Sequence, residues 1–447
     1  MARPVSAGGA PSPVASPLTP ADGPVLVALS GGVDSAVAAL LLREQGVEIA
    51  GVTLKTFCYG DLPGGPKSCC GLEGVEAARA VASRLGMPHL VLDVSPSFQT
   101  EVIDDFVREY AAGRTPNPCV VCNATVKIPH LLDYARRLGY RAVATGHYAQ
   151  VRPAPEGGWA LHRGVDGAKD QSYFLWEIPR PVLAGLCLPL GGLTKPEVRA
   201  LAARAGLASA HRPESQEICF IPDGDYVGFL RRRLPPDHPG FQPGPLVDAH
   251  GRQIGTHPGY LAYTIGQRRG LGGGHGRRLF VIGIDPVRRE VRVGEESDLL
   301  GRCLRLERVN PLIGPRSEVG AVVLPLTSCL PGASPAGPTV DLPGGGASLP
   351  VEPPPPRAVD VRSGDDSGAA LTADALPAPV LPSGEAVLVQ IRHRARPVPG
   401  RLVAAPADGP WDIVLDQPAR AITPGQSAVL YQGDRVIAGG RIASWRR

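Results

Sequence analysis

Three cysteines and one small-residue loop are the groups in this chain best suited to chemistry. Ser30-Gly31-Gly32-Val33-Asp34-Ser35 follows the apolar run 25–29 and opens a helical pattern at 35–45. A strand feeding glycines and then a helix start brings backbone N–H groups together at the positive end of the helix dipole, which suits a phosphate or pyrophosphate. No GxxxxGK[ST] follows, so the loop is not that of the common P-loop NTPases. A second signal is Thr115-Pro116-Asn117-Pro118-Cys119-Val120-Val121-Cys122-Asn123, a two-proline loop that sets two thiols three positions apart just before a helical pattern. A thiolate beside a helix start is stabilised by the dipole, and Cys122, nearest the expected helix at 125–138, is the candidate nucleophile. A zinc half-site or a buried pair suits a lone CxxC equally well. Cys219, in Glu214-Ser215-Gln216-Glu217-Ile218-Cys219-Phe220-Ile221, stands at an expected domain boundary, where a thiol on a loop can swing to collect and deliver a group.

These groups must be positioned by a folded body, and the composition provides for one. The chain has 447 residues, is 43% hydrophobic and carries a net charge of +4, too small a charge by itself to establish nucleic-acid binding. Nine cysteines, an odd count in a large chain, fit a reducing compartment rather than a disulfide scaffold. With no apolar stretch long enough to span a bilayer and no leader pattern, a cytoplasmic protein that does not engage a membrane is expected, monomeric when free. Strand-like runs at 25–29, 47–54, 89–94 and 141–145 alternate with helical patterns at 35–45, 72–85, 98–112 and 125–138. That alternation predicts an α/β, doubly wound parallel sheet. Gly46, Gly86, Gly113 and Gly139 sit where left-handed helix caps are expected, and Thr194 with Glu197 reads as a capping box.

The expected organisation is a disordered tail at 1–20, a nucleotide-binding catalytic domain at 21–222, a small β-rich domain at 223–299 and a C-terminal β-barrel at 300–447. A Pro/Gly-rich insertion at about 313–383, centred on Pro353-Pro354-Pro355-Pro356, interrupts the last unit and reads as a linker, with 322–324 as its one strand-like stretch. Arginines alternate through Gln390-Ile391-Arg392-His393-Arg394-Ala395-Arg396, which predicts a strand with an arginine face able to track phosphates.

The hexapeptide at 30–35 resembles the pyrophosphate loop of ATP pyrophosphatases. Together with NPCVVCN, Ala144-Thr145-Gly146-His147-Tyr148, Lys169-Asp170-Gln171-Ser172-Tyr173-Phe174, ESQEICFI and Thr264-Ile265-Gly266-Gln267-Arg268-Arg269-Gly270, in this order, the chain resembles the tRNA-specific 2-thiouridylases. The resemblance implies ATP-dependent replacement of oxygen by sulfur at carbon 2 of the wobble uridine (position 34) of tRNA, the work of a tRNA-uridine 2-sulfurtransferase. ATP would adenylate the carbonyl oxygen, with Mg2+ neutralising the departing pyrophosphate.

Residue by residue, the resemblance places Ala28, Leu29, Ser30, Gly31, Gly32, Val33, Asp34, Ser35, Leu54 and Gly146 at the nucleotide; the charge and placement of Asp34 make it the choice for Mg2+. It places Asn117, Pro118 and Cys119 beside the target base, and His147, Lys169, Asp170, Gln171, Arg392, His393 and Gln426 on the tRNA. Cys219 would receive sulfur from a persulfide-donating carrier or cysteine desulfurase, and Cys122 would complete the transfer, leaving a disulfide. Some relatives carry Asp where this chain has Cys119, so Cys119, Cys122 and Cys219 also suit an iron–sulfur cluster. The competing readings are another pyrophosphate-loop ligase, which needs no thiols, and a tRNA-binding protein with an inactive nucleotide site.

Overall fold

A computed structural model describes residues 23–57, 72–211, 218–271, 278–313, 384–406 and 409–446. The expected tail, most of the insertion including 322–324, and Cys58, Cys69, Cys70 and Cys329 lie outside the described residues. The strands are β1 (Val25–Ala28), β2 (Ile49–Lys55), β3 (His89–Asp93), β4 (Ala142–Ala144), β5 (Ala149–Pro153), β6 (Trp159–Arg163) and β7 (Leu186–Cys187). The first sheet has order β3-β2-β1-β4-β7 and is parallel throughout. Its strands read as unbroken apolar runs because both faces are covered, one by helices Val33–Glu44 and Leu72–Leu85 and the other by Phe98, Phe106, Ile128 and Leu131. Gly46, Gly86, Gly113 and Gly139 all adopt positive φ of 63° to 80°, as expected of helix caps. The backbone N–H of Thr194 donates to Glu197 Oε2 at 2.7 Å, the reciprocal half of a capping box.

The chain continues through β8 (Gly244–Val247), β9 (Gln253–His257), β10 (Phe280–Asp285) and β11 (Glu290–Gly294), a small sheet of order β10-β11-β8-β9. The last unit comprises β12 (Leu300–Pro311), β13 (Ala386–Gln390), β14 (Val398–Ala404), β15 (Trp411–Arg420), β16 (Ser427–Gln432) and β17 (Arg435–Arg446). Its order β12-β15-β14-β13-β16-β17 closes through pairing of β12 with β17, so the six strands form a barrel with no open edge. Leu306, Val389, Leu402, Ile413, Leu430 and Ile437 alternate into its interior.

Two features differ from the sequence expectation. The β5–β6 hairpin, from within the first unit, extends the barrel sheet through the pairing of His162 with Arg435. The segment 391–397 is not a strand: β13 ends at Gln390, Arg394 has φ +63°, and Ala395 N–H donates to the Arg392 carbonyl at 3.1 Å. It is the hairpin turn to β14, and Arg392, Arg394 and Arg396 are exposed on it as turn residues rather than as a strand face. No helix among the described residues is long and apolar enough to cross a membrane.

Candidate functional site

The chain runs from β1 outward through β2 to β3, then returns to β4 on the other side of β1. Ligands of open α/β sheets bind beyond the carboxyl ends of the strands where the winding reverses, here between β1 and β4. The two loops leaving those strands are 29–32 and 145–148. Helix Val33–Glu44 starts two residues earlier than its apolar period suggests, so Val33, Asp34 and Ser35 form its first turn, with amides open to an anion. Ser35 ties the loop from inside: its hydroxyl donates to the Gly32 carbonyl at 3.1 Å and accepts from Ser30 N–H at 3.1 Å. Gly31 has φ +74°, and a Cβ there would come within 2.5 Å of the Gly74 carbonyl oxygen.

The opposing loop touches this one through Gly146. A Cβ on Gly146 would lie 2.7 Å from Ser35 N and 2.8 Å from the Asp34 carbonyl carbon, so only a glycine permits the approach. Leu54, near the end of β2, is buried in the neighbouring core. Across the same point, Tyr148 O–H donates to Asp34 Oδ1 at 2.7 Å, and the buried Lys195 ammonium donates to both Asp34 oxygens at 2.7 and 2.8 Å. Lys195 was not singled out from the sequence, since its partner is 161 residues away; its place in the first turn of a capped helix was the available signal. With Asp34 engaged by a cation and a hydroxyl, the carboxylate does not fit a Mg2+ ligand in this arrangement.

The thiol helix differs from expectation. It begins at Pro118, with Asn117 as its cap, and continues through Cys122–Lys127 as a π-helical turn into Ile128–Arg137. Proline is favoured in the first helical turn, where its missing N–H has no partner to lose. The dipole's positive end is therefore nearest the exposed Cys119, and Cys122 lies one turn further in, buried at the π-turn. A second π-turn, Phe98–Ile103, packs against it. Asn123 Nδ2 donates to the Phe174 carbonyl at 3.1 Å, while its buried Oδ1 has no hydrogen-bond partner among the described residues. At the switch point, burial first, and then the charge of the Lys127 ammonium, pushes the His147 imidazole down to about 3, and Thr145 Oγ1 lies 2.8 Å from its Nδ1. His147 is thus neutral at working pH, suited to hydrogen bonding rather than to an ion pair with phosphate.

Cys219 is half-buried at the start of a described segment, and Phe220 beside it packs edge-on against Phe98 at 5.8 Å and Phe106 at 5.2 Å. Both cysteines thus border the same aromatic core. Among the described residues, no three His, Cys, Asp or Glu side chains converge as a metal-binding group.

Of the tRNA candidates, Arg392 is exposed on the β13–β14 turn, and His393 beside it sits against Phe174 with ring centroids 4.5 Å apart. Lys169 is half-buried, and the Gln171 side chain accepts from Tyr148 N–H at 2.9 Å. Asp170 works inward instead. It is buried and accepts from Gly164 N–H, Ser172 N–H, the Ser172 hydroxyl and Arg163, all at 3.0 to 3.1 Å. Arg163 in turn bonds Gln390 of the barrel at 3.0 Å and lies 3.6 Å over the Tyr431 ring. Asp170 therefore braces the hairpin against the barrel, with its acceptor sites already filled.

Family models match three successive stretches: a tRNA methyl transferase HUP domain over residues 23–223, a tRNA methyl transferase PRC-barrel domain over 229–295, and an aminomethyltransferase beta-barrel domain over 378–442. A tRNA-specific 2-thiouridylase MnmA of Heliobacterium modesticaldum is 41% identical over 420 residues, covering 94% of this chain and 92% of the relative. The protein of the same description from Chloroflexus aurantiacus is 40% identical over 421 residues, covering 94% and 98%. Among solved structures, a 4-thiouridine synthetase–RNA complex with bound ATP matches 49% of this chain and 52% of its own at 19% identity and TM-score 0.29, too little to bear on function. Identity at this level across nearly the full length, together with the phosphate loop at the switch point, shows that the chain belongs to the tRNA-specific 2-thiouridylase family.

Proposed function

We propose that the protein catalyses ATP-dependent 2-thiolation of the wobble uridine of cytoplasmic tRNA. The observation that supports this reading is the phosphate loop at the β1–β4 switch point, closed against Gly146, in a first unit that also carries the helix of Cys119 and Cys122. Ser30 to Ser35 and Gly146 cradle the ATP phosphates. The uridine O2 attacks the α-phosphorus and pyrophosphate leaves, converting a poor leaving group into AMP. Lys195 and the amides of the first helical turn offset the negative charge of the phosphates. Cys219 carries sulfane sulfur received from a persulfide donor. Either its terminal sulfur attacks carbon 2 and displaces AMP, after which Cys122 attacks the inner sulfur and releases the 2-thiouridine, or Cys122 attacks the inner sulfur first and the sulfide released attacks carbon 2 and displaces AMP. Either route expels AMP and ends in a Cys122–Cys219 disulfide, which a thiol reductant reopens. Asn117 and Cys119 flank the base, while Lys169, Gln171, Arg392, His147 and His393 hold the tRNA.

Mass spectrometry of nucleosides from unmodified tRNA, incubated with ATP, magnesium and a persulfide donor, tests the reading. The wild type is expected to form 2-thiouridine, and Cys122→Ser and Cys219→Ser to form none while still releasing pyrophosphate. Undiminished thiolation by both variants would eliminate the thiol relay, whereas pyrophosphate release with no 2-thiouridine from the wild type would favour a ligase that uses adenylation alone.

A further inference from the structure

The loop that delivers Cys119 and Cys122 is held by the barrel at Arg114, Thr115 and Pro116. Arg114 pairs with Glu109 at 2.7 Å and also with Glu307 of β12. Thr115 N–H donates to the Pro424 carbonyl at 2.9 Å. Gln426 Nε2 donates to the Thr115 carbonyl at 3.1 Å and to the Pro116 carbonyl at 3.0 Å. Tyr173, in the same unit, donates its hydroxyl to the Ser427 carbonyl of the barrel at 2.9 Å. Both acceptors of the Gln426 amide are carbonyls, so its NH2 end must face them, and both of its hydrogens are engaged. Gly425 completes the fit: with φ +90°, a Cβ there would come within 2.8 to 3.0 Å of the Thr115 backbone.

We infer that Gln426, expected from the sequence to contact tRNA, is instead a positioning residue through which the barrel fixes the Thr115–Cys122 loop in its reactive shape. The two prolines stiffen the loop but, among the described residues, leave the carbonyls of Thr115 and Pro116 without a partner from their own unit, and Gln426 of the barrel supplies both donors. Docking of the barrel and placement of the thiol helix are thereby one event. The inference rests on the proposed role of Cys122 for its catalytic readout but not for its chemical one.

The test compares wild type with Gln426→Met, which keeps the volume and removes both donors, and with Gln426→Glu, which keeps the shape and cannot donate. Three quantities are read: the Kd for unmodified tRNA, the thiolation kcat at saturating tRNA, and the rate of Cys122 alkylation by iodoacetamide in the tRNA-free protein, located by peptide mass spectrometry. The expected result is a Kd within about twofold of wild type, a kcat lower by about tenfold or more, and an alkylation rate changed by about threefold or more. A Kd raised about tenfold with kcat retained would return Gln426 to the tRNA interface and overturn the inference. So would unchanged alkylation and kcat. Active Cys122→Ser protein would defeat the functional reading alone, since the alkylation rate reports the clamp without any turnover.

Discussion

Gly146→Ala places one methyl group between the two loops of the switch point. The new Cβ would lie 2.7 Å from Ser35 N, 2.8 Å from the Asp34 carbonyl carbon and 3.1 Å from the Asp34 carbonyl oxygen. All three are backbone atoms, so no side chain can rotate away, and the phosphate loop must retreat by about 0.5 Å or more to restore van der Waals distance. Overpacking of this kind costs about 1–3 kcal/mol, which for a domain of this size lowers Tm by roughly 2–10 °C. The larger effect falls on phosphate positioning, where a displacement near 1 Å costs about a hundredfold in rate, so kcat/KM for ATP is expected to drop about 30- to 100-fold. The assay is tRNA-dependent pyrophosphate release across a range of ATP concentrations, with a melt by circular dichroism in parallel. Gly139→Ala is the control: its φ is +80° but nothing lies within 4 Å of the added methyl, so it carries backbone strain without touching the loop. A Gly146→Ala enzyme with wild-type kcat/KM for ATP would refute the placement of the nucleotide at this crossing.

Lys195→Met leaves Asp34 with Tyr148 but without its cation; because the carboxylate is 32% exposed, the expected loss is about 1–2 kcal/mol by urea denaturation, accompanied by a KM for ATP at least about tenfold higher. Unchanged stability and KM would show that this ion pair neither braces the loop nor serves the phosphates. His147 sets a pH dependence: its imidazole titrates at about 3 in the folded protein against an ordinary 6.5, so its stabilising contribution is full above pH 6.5 and is lost as pH falls toward 3, at up to about 1.4 kcal/mol per pH unit. His130, His162, His257 and His393, also held down by burial, act in the same direction, so the comparison must be with His147→Gln, whose denaturation midpoint is expected to fall less steeply between pH 6 and 5. Parallel slopes would refute it.

The parallel sheet was legible because its signals are local. Apolar runs of strand length, helix-period patterns and a glycine after each helix all lie within a dozen residues of one another, and the structure repeats them. The phosphate loop was legible for the same reason. What the sequence hid depends on distance or on ambiguous local chemistry. The His162–Arg435 pairing and the Lys195–Asp34 ion pair join residues that no local pattern relates. Pro118 reads equally as a loop residue and as the first residue of a helix, and the thiol helix starts there. Alternating arginines at 392, 394 and 396 imitate a strand, yet the left-handed Arg394 turns the chain. Asp170 looks like a surface acid until Arg163 and Ser172 close around it.

The central chemical claim is that ATP activates the uridine oxygen before sulfur arrives, and oxygen tracing tests it most directly. Unmodified tRNA carrying 18O at O2 of the wobble uridine would be thiolated with unlabelled ATP in ordinary water, and the AMP product examined by mass spectrometry. Adenylation at O2 predicts one 18O atom in AMP for each 2-thiouridine formed. AMP without label, in a reaction that still yields 2-thiouridine, would contradict it and require the oxygen to leave by another route.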